Sequence, residues 1–394
     1  MKKVLWLASW YPNLIEPLTG DFIERHAKAA SSRYSVSVIH VLKERVPVIS
    51  EKVFREKRVY NSRCQAIITY YKVPVYKLRW VSRVIAAYFF LKHFISEANL
   101  YISQNGKPEL VHVHVCMKAG LIALWLKWVH HIPYVITEHW TGFCPGARPN
   151  FDEQNLAYRF CWRMIMKEAS GCSTVSDYLG LALKSRLKTL EYMVIPNVVD
   201  TEIFRQHSSA ESDLFRFIHV STLNYQKNIA QIFEAIKILS VLTNKKFQLT
   251  IYGPEKPELF RLAKELNIEN KIVFKNESSQ PELAKDMQQC GALILYSLYE
   301  TFGCVIIEAN ACGLPVIVSD IPVFHENVLG NVTGVFVPLN QPPRLAGELL
   351  KMMNDRTLFN ETAIIDITKK KYSFEAVAAL FDAFYDRALN SFRS

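Results

Sequence analysis

Several signals are missing from this chain of 394 residues. No uninterrupted apolar run approaches the ~18 residues a spanning helix needs. The nearest stretches, 84–95 and 119–129, are broken by Lys92 and His93 and by Lys127. None of the eight cysteines forms a Cys-x-x-C pair, so reduced, core-packing thiols are expected. Gly and Pro are not in excess, which excludes collagenous and disordered classes. Neither a helix-turn-helix nor an aromatic–basic RNA motif is evident, and no nucleic-acid partner is expected. The N-terminus begins like a secretory signal, with Lys2 and Lys3, but has no long apolar core and no small-residue cleavage site. A first strand is expected there, and a cytoplasmic location.

What is present is enough for two domains. Half the residues are apolar, and the length suits two units of roughly 150–200 residues. Charge divides unevenly: residues 1–200 carry 27 basic and 15 acidic side chains, and the remainder 20 and 22. The positive excess therefore lies wholly in the first half, which should face something anionic or present a solvated basic surface.

Short β-branched runs alternate with helical patterns. Strands are expected at 4–9, 35–42, 66–73, 110–115, 134–137, 172–175 and 192–195, then at 215–220, 247–252, 271–274, 292–296, 315–319 and 334–337. Helices are expected near 20–32, 80–104, 118–130, 152–169 and 177–189, between most later strands, and three times at the end. Near-continuous apolar strands in such alternation predict α/β domains with parallel sheets covered on both faces. The polar stretch 206–213 is the expected linker. Ligands of doubly wound sheets bind beyond the carboxyl ends of the strands, which would make a cleft between two such domains the natural site.

The richest segment runs from Tyr299 to Ile317, with Glu300-Thr301-Phe302-Gly303 in a turn after a strand and Glu308 in the helix that follows. Backbone N–H groups at a helix start, with Gly303 permitting close approach, suit a diphosphate. Carboxylates beside it accept hydrogen bonds from sugar hydroxyls. The Glu-x7-Glu spacing alone says nothing, since Glu16/Glu24 and Glu269/Glu277 share it. The order strand, Glu-Thr-Phe-Gly, helix, Gly-Leu-Pro-Val, strand is specific.

That segment resembles the C-terminal signature of glycosyltransferase family 4, retaining enzymes of the GT-B fold. Further pieces follow in order: Pro12 to Thr19-Gly20-Asp21, Val111-His112-Val113-His114, Thr137-Glu138-His139, Thr174-Val175-Ser176, Ile195-Pro196-Asn197 and Lys227. The resemblance implies two facing Rossmann-like domains, 1–198 on the acceptor side and 199–370 on the donor side, with an interdomain cleft and a final helix at 371–394 packing back on the first domain. It implies a UDP- or GDP-sugar donor. Glu308 would bind the ribose; Glu300, Thr301, Phe302 and Gly303 the sugar and diphosphate; Lys227 would neutralise the leaving group. His139 would stand beside the donor sugar, and Gly20 at the donor phosphate and acceptor. Physically, Lys227 is expected at a helix start as a free point charge, and His139 at a strand's carboxyl end.

No Asp-x-Asp occurs, so no metal ion and no cofactor are expected, with lysine and helix dipoles stabilising the leaving group instead. His112 and His114 share a strand face, but no zinc-spaced partners follow, and they read as core or loop-support residues. Arg25 and Lys28 read as acceptor contacts or solvated charges. One departure matters: the family's Gly-Arg-Leu is Ser221-Thr222-Leu223 here, so Thr222 occupies the slot of the arginine that joins the lysine on the diphosphate. Another cation substitutes, diphosphate affinity is reduced, or the protein is a degenerate binder. The usual Gly-Gly near the second-last strand is also replaced, in the segment 320–326. The expected acceptor is a saccharide or lipid-linked saccharide of surface-polysaccharide synthesis. The segment with Arg79, Trp80, Arg83, Tyr88, Phe89, Phe90, Lys92 and Phe94 either touches an anionic membrane surface or buries an apolar face in the core. The alternatives are a non-catalytic sugar-nucleotide binder and a sugar-nucleotide 2-epimerase on the same fold.

Overall fold

A computed structural model describes residues 1–44, 50–74, 78–206, 213–355 and 357–393. The chain forms two compact units: Met1–Phe143, Phe151–Val198 and Phe374–Ser394 make one, and Cys144–Asn150 with Val199–Ser373 make the other. The expected linker at 206–213 falls mostly on 207–212, outside the described residues.

In chain order the first unit contains β1 (Lys3–Ala8), α1 (Asp21–Ala30), β2 (Ser35–Lys43), β3 (Val53–Asn61), β4 (Cys64–Tyr71), α2 (Arg79–Asn105), β5 (Leu110–His114), α3 (Ala119–His130), β6 (Tyr134–Glu138), α4 (Leu156–Glu168), β7 (Gly171–Thr174), α5 (Asp177–Lys184) and β8 (Met193–Val194). Its sheet order is β3-β4-β2-β1-β5-β6-β7-β8. Central strands β1 and β5 are buried almost along their whole length, as both-face coverage by helices requires. All neighbours pair in parallel except β3 with β4, which are antiparallel. Strand β3 corrects the expectation of parallel strands throughout. Its core, Phe54-Arg55-Glu56-Lys57-Arg58, alternates half-buried and exposed residues. An edge strand carries such charge without penalty, and that charge hides it from a search for apolar runs.

The second unit contains β9 (Phe215–Val220), α6 (Ile229–Leu242), β10 (Phe247–Tyr252), α7 (Pro257–Glu265), β11 (Ile272–Lys275), α8 (Gln280–Met287), β12 (Ala292–Leu295), α9 (Cys304–Ala311), β13 (Val316–Ser319), β14 (Gly334–Val337), α10 (Pro342–Asn354) and α11 (Glu361–Tyr372). Its six strands run β11-β10-β9-β12-β13-β14, all parallel. That is the Rossmann order, reversing between the first and fourth strands. Phe217, Ile232, Phe233, Ile236, Leu249, Ile294, Leu345 and Leu349 form its core.

The last helix, α12 (Phe374–Arg393), belongs to the first unit. Val377, Phe381, Phe384, Tyr385 and Leu389 join the core around Trp6 and Val38. Burying a large apolar side chain contributes roughly 1.5–3 kcal/mol. The exposed pairs Lys2–Asp386 and Arg33–Asp382 contribute at most about 1 kcal/mol each. Apolar burial therefore holds α12 in place.

Candidate functional site

The reversal of strand order in the second unit brings the ends of β9 and β12 side by side. The β9–α6 connection carries Lys227 and the β12–α9 connection carries Glu300. Lys227 Nζ lies 2.5 Å from Glu300 Oε1, and Ser297 Oγ donates to the same oxygen at 2.9 Å. Both side chains are largely buried, at 16% and 7% exposure, so the pair is stronger than a surface ion pair. Two further bonds lock the connections together: Gln226 Nε2 donates to the Tyr299 carbonyl at 2.7 Å, and Leu298 N to the Gln226 carbonyl at 2.8 Å. Lys227 ends a short 3-10 turn, Tyr225–Lys227, and α6 starts only after Asn228, whose φ of 56° breaks the helix. The expectation of Lys227 at the helix start is corrected by two residues.

Gly303 precedes α9 with φ 87°, a conformation L side chains rarely adopt. The positive end of the α9 dipole opens there, beside Thr301 and Phe302. Phe302 is buried; its carbonyl accepts from Asn327 Nδ2 at 2.6 Å and its ring meets Tyr372 edge-on. Glu308 is buried one turn into the helix. Thus Lys227, Glu300, Thr301, Phe302, Gly303 and Glu308 all lie on the two connections or the helix that follows them. Thr222 is exposed.

The segment Cys144–Asn150 completes this unit. Cys144 Sγ donates to the Glu300 carbonyl at 3.5 Å, and Arg148 N to the Tyr299 hydroxyl at 3.4 Å. The Arg148 guanidinium stands 5.4 Å from the centre of the Tyr225 ring.

In the first unit the strand order reverses between β1 and β5. A cavity opens at their carboxyl ends, lined by Trp10, Phe90, Trp140 and Tyr158 with Lys43, Lys118 and Glu16 among its polar groups. Gly20 caps α1 with φ 75°, and a Cβ there would lie 2.8–2.9 Å from the backbone of Trp10 and Tyr11. Only glycine fits this approach.

His139 follows β6 as expected, but its ring is buried rather than lining the cavity, where Trp140 stands. Its Nε2 lies 3.2 Å from His114 Nδ1. Glu138 fixes this corner by accepting from three amides: Cys116 at 3.2 Å, His139 at 2.9 Å and Trp140 at 3.0 Å. Burial raises the Glu138 carboxyl above its usual range, and the three amides oppose that rise. His112 bonds Tyr385 Oη and Thr137 Oγ1, both at 2.7 Å. His26 Nε2 meets the Pro196 carbonyl at 2.9 Å. Among the described residues, His26, His114 and His139 are the group whose ring nitrogens converge closely enough to hold a metal, within 4.8 Å. Burial lowers all three, His26 to about 4, so they are neutral near pH 7. Arg25 and Lys28 pair along α1 with Asp21 at 2.9 Å and Glu24 at 2.6 Å, and Arg25 is buried, neither solvated nor lining the cavity.

Sequence reasoning passed over Ser297, Arg148, and the aromatic residues Trp10, Trp140 and Tyr158. Ser297 lies three residues before Glu300 but outside the Glu-Thr-Phe-Gly motif, and the others share no short spacing with their neighbours in space. Only Trp140 carried a signal, its position directly after Thr137-Glu138-His139.

Residues 23–203 match the family model described as Glycosyltransferase Family 4, and residues 200–370 match Glycosyl transferases group 1. An uncharacterised glycosyltransferase of Methanocaldococcus jannaschii is 25% identical over 334 residues, 78% of this chain and 82% of that protein. The O-antigen chain mannosyltransferase of Salmonella typhimurium is 31% identical over 222 residues, 54% of this chain and 61% of that protein. Among solved structures, HepE of Anabaena in complex with UDP and glucose superimposes with a TM-score of 0.71 at 15% identity, over 98% of this chain and all of that one. With consecutive family matches across both units and two α/β sheets parallel but for the β3 edge, the chain belongs to the family 4 glycosyltransferases and has the GT-B fold.

Proposed function

We propose that this protein transfers a hexose-type residue from a UDP- or GDP-sugar to a hydroxyl of a saccharide or lipid-linked saccharide, with retained anomeric configuration, in surface-polysaccharide synthesis. The observation that carries the reading is the buried Lys227–Glu300–Ser297 cluster at the strand reversal of the second unit. The chemistry of that cluster suits both halves of a nucleotide sugar. Lys227 offers its charge to the diphosphate, and Glu300, released from that pair, accepts from sugar hydroxyls. The α9 dipole adds positive potential, while Glu308 takes the ribose. With lysine and helix dipole in these places, the diphosphate leaves without a divalent ion. Retention follows the front-face route, in which the departing phosphate assists deprotonation of the acceptor hydroxyl; the protein supplies positioning and charge. His139 lends indirect support, holding the corner from which Trp140 reaches the cavity.

The cavity of the first unit takes the acceptor. Its aromatic walls suit the apolar faces of sugar rings, and its two lysines outnumber its one carboxylate. The polysaccharide setting draws on the O-antigen mannosyltransferase relative, and the donor class on the UDP held by HepE. Trp80, Val84 and Tyr88 are exposed on α2 beside Arg83 and Lys92, which supports peripheral contact with an anionic membrane, on its cytoplasmic side. Among the described residues no helix is long and apolar enough to cross one. Thr222 favours a second reading, a binder without turnover.

Thermal shift against UDP-, GDP-, ADP- and CDP-sugars, with and without EDTA, decides between them when paired with product analysis. A ligand at 100 times its Kd should stabilise by about 2.7 kcal/mol. An EDTA-insensitive shift with one nucleotide, lost in Glu308→Ala, together with sugar transfer, is the expected result. A shift without turnover leaves the binder; no shift with any nucleotide removes the donor site.

A further inference from the structure

Positive charge at the donor site falls short of what the leaving group carries. A nucleoside diphosphate leaving group carries at least two negative charges, and one more develops as its bond to the sugar breaks. Lys227 supplies one positive charge, already engaged by Glu300. The α9 terminus is equivalent to about half a charge. Thr222, where the family places an arginine, supplies none.

The segment Cys144–Asn150 offers a replacement from a distant part of the chain. It is fastened to the β12–α9 connection by two hydrogen bonds: Cys144 Sγ to the Glu300 carbonyl and Arg148 N to the Tyr299 hydroxyl. Arg148 is exposed, and its guanidinium stands 5.4 Å from the ring centre of Tyr225, which shares the 3-10 turn with Lys227. A guanidinium within about 6 Å of an aromatic ring's centre is attracted to the ring without using up its N–H donors, and it grips a phosphate through two of them. We infer that Arg148 is the second cation of the donor site, contacting the diphosphate in place of the arginine that Thr222 replaces. The inference rests on the donor reading of the second unit.

The test compares binding of a nucleoside diphosphate and the matching monophosphate, taking the base that the nucleotide panel selects. In Arg148→Gln the diphosphate should bind about tenfold more weakly or worse, the loss of a charge-assisted contact, while the monophosphate changes by less than about threefold. Thr222→Arg in the Arg148→Gln background should recover the diphosphate affinity. Equal weakening of both nucleotides, or no weakening of either, overturns the role. If Arg148→Gln melts early, Arg148→Lys serves instead: it keeps the charge and loses the two-bond grip, so diphosphate selectivity reduced with the fold intact supports the guanidinium contact, and full wild-type selectivity contradicts it. Wild-type protein that binds no nucleoside diphosphate removes the donor reading and this inference together. Wild-type protein that binds well, with Arg148→Gln indistinguishable from it, removes only the inference.

Discussion

Lys227 and Glu300 stand 73 residues apart in the chain and 2.5 Å apart in space. Each was visible in the sequence for a different reason, Glu300 within Glu-Thr-Phe-Gly and Lys227 through its position after the first strand of the second half. Their pairing was not visible, because it depends on β9 and β12 becoming neighbours in the sheet. Removing the lysine leaves a carboxylate of 7% exposure with Ser297 as its remaining side-chain donor. Lys227→Ala should therefore destabilise the second unit by about 2 kcal/mol, as well as abolishing transfer. Lys227→Met combined with Glu300→Leu should recover much of the stability and none of the activity. A double-mutant cycle of thermal melts measures both, and additive losses would contradict a coupled pair.

At the scale of elements, α2 resolves a question that its sequence leaves open. Its C-terminal half buries Phe94, Ala98 and Tyr101 in the unit. Glu97 there pairs with Arg55 of β3 at 2.7 Å. The N-terminal half instead exposes Trp80, Val84 and Tyr88, four residues apart and so on one face. One helix is thus divided along its length, with an exposed aromatic face at its start and a buried apolar face at its end. Vesicles rich in anionic lipid should float with the protein, and Arg83→Gln with Lys92→Gln should weaken that binding about fivefold per charge, near 1 kcal/mol each. Equal flotation with neutral vesicles would remove the electrostatic part, and none with either would remove the membrane contact. Strand β3 was illegible for the opposite reason, since an edge position tolerates the charges that erase a strand's apolar signature. The helix expected at 152–169 starts four residues later in the structure, at Leu156, because Asn155 caps it: Asn155 Oδ1 accepts from Tyr158 N at 2.9 Å.

For the whole molecule, buried histidines make acid sensitivity uneven. His26 and His40 in the first unit and His219 in the second are each held down to about 4 by burial. Burial also lowers His112, His114 and His139, all in the first unit. Between that lowered value and the ordinary 6.5, the unfolded chain binds more protons than the folded one. Stability is therefore fully present above about pH 6.5 and declines as pH falls, by roughly 2 kcal/mol at pH 5 for each of the three that reach about 4. Calorimetry at pH 7.5 and pH 5 should show the first unit losing more of its melting temperature than the second. Parallel losses in both would mean the histidines are not held neutral.

Local pattern determined much of this protein: alternating apolar runs are enough to specify most strands and helices, and a contiguous signature at 299–317 marked the β12–α9 connection. Those features rest on spacing within a few tens of residues, which backbone geometry reads directly. The tertiary structure alone decided which distant residues meet. Strand order set Lys227 against Glu300, assembled the aromatic cavity from Trp10, Trp140 and Tyr158, buried the histidines against α12, and brought Arg148 beside Tyr225. Such neighbours share no sequence spacing, because long-range contacts follow from how sheets are wound and covered.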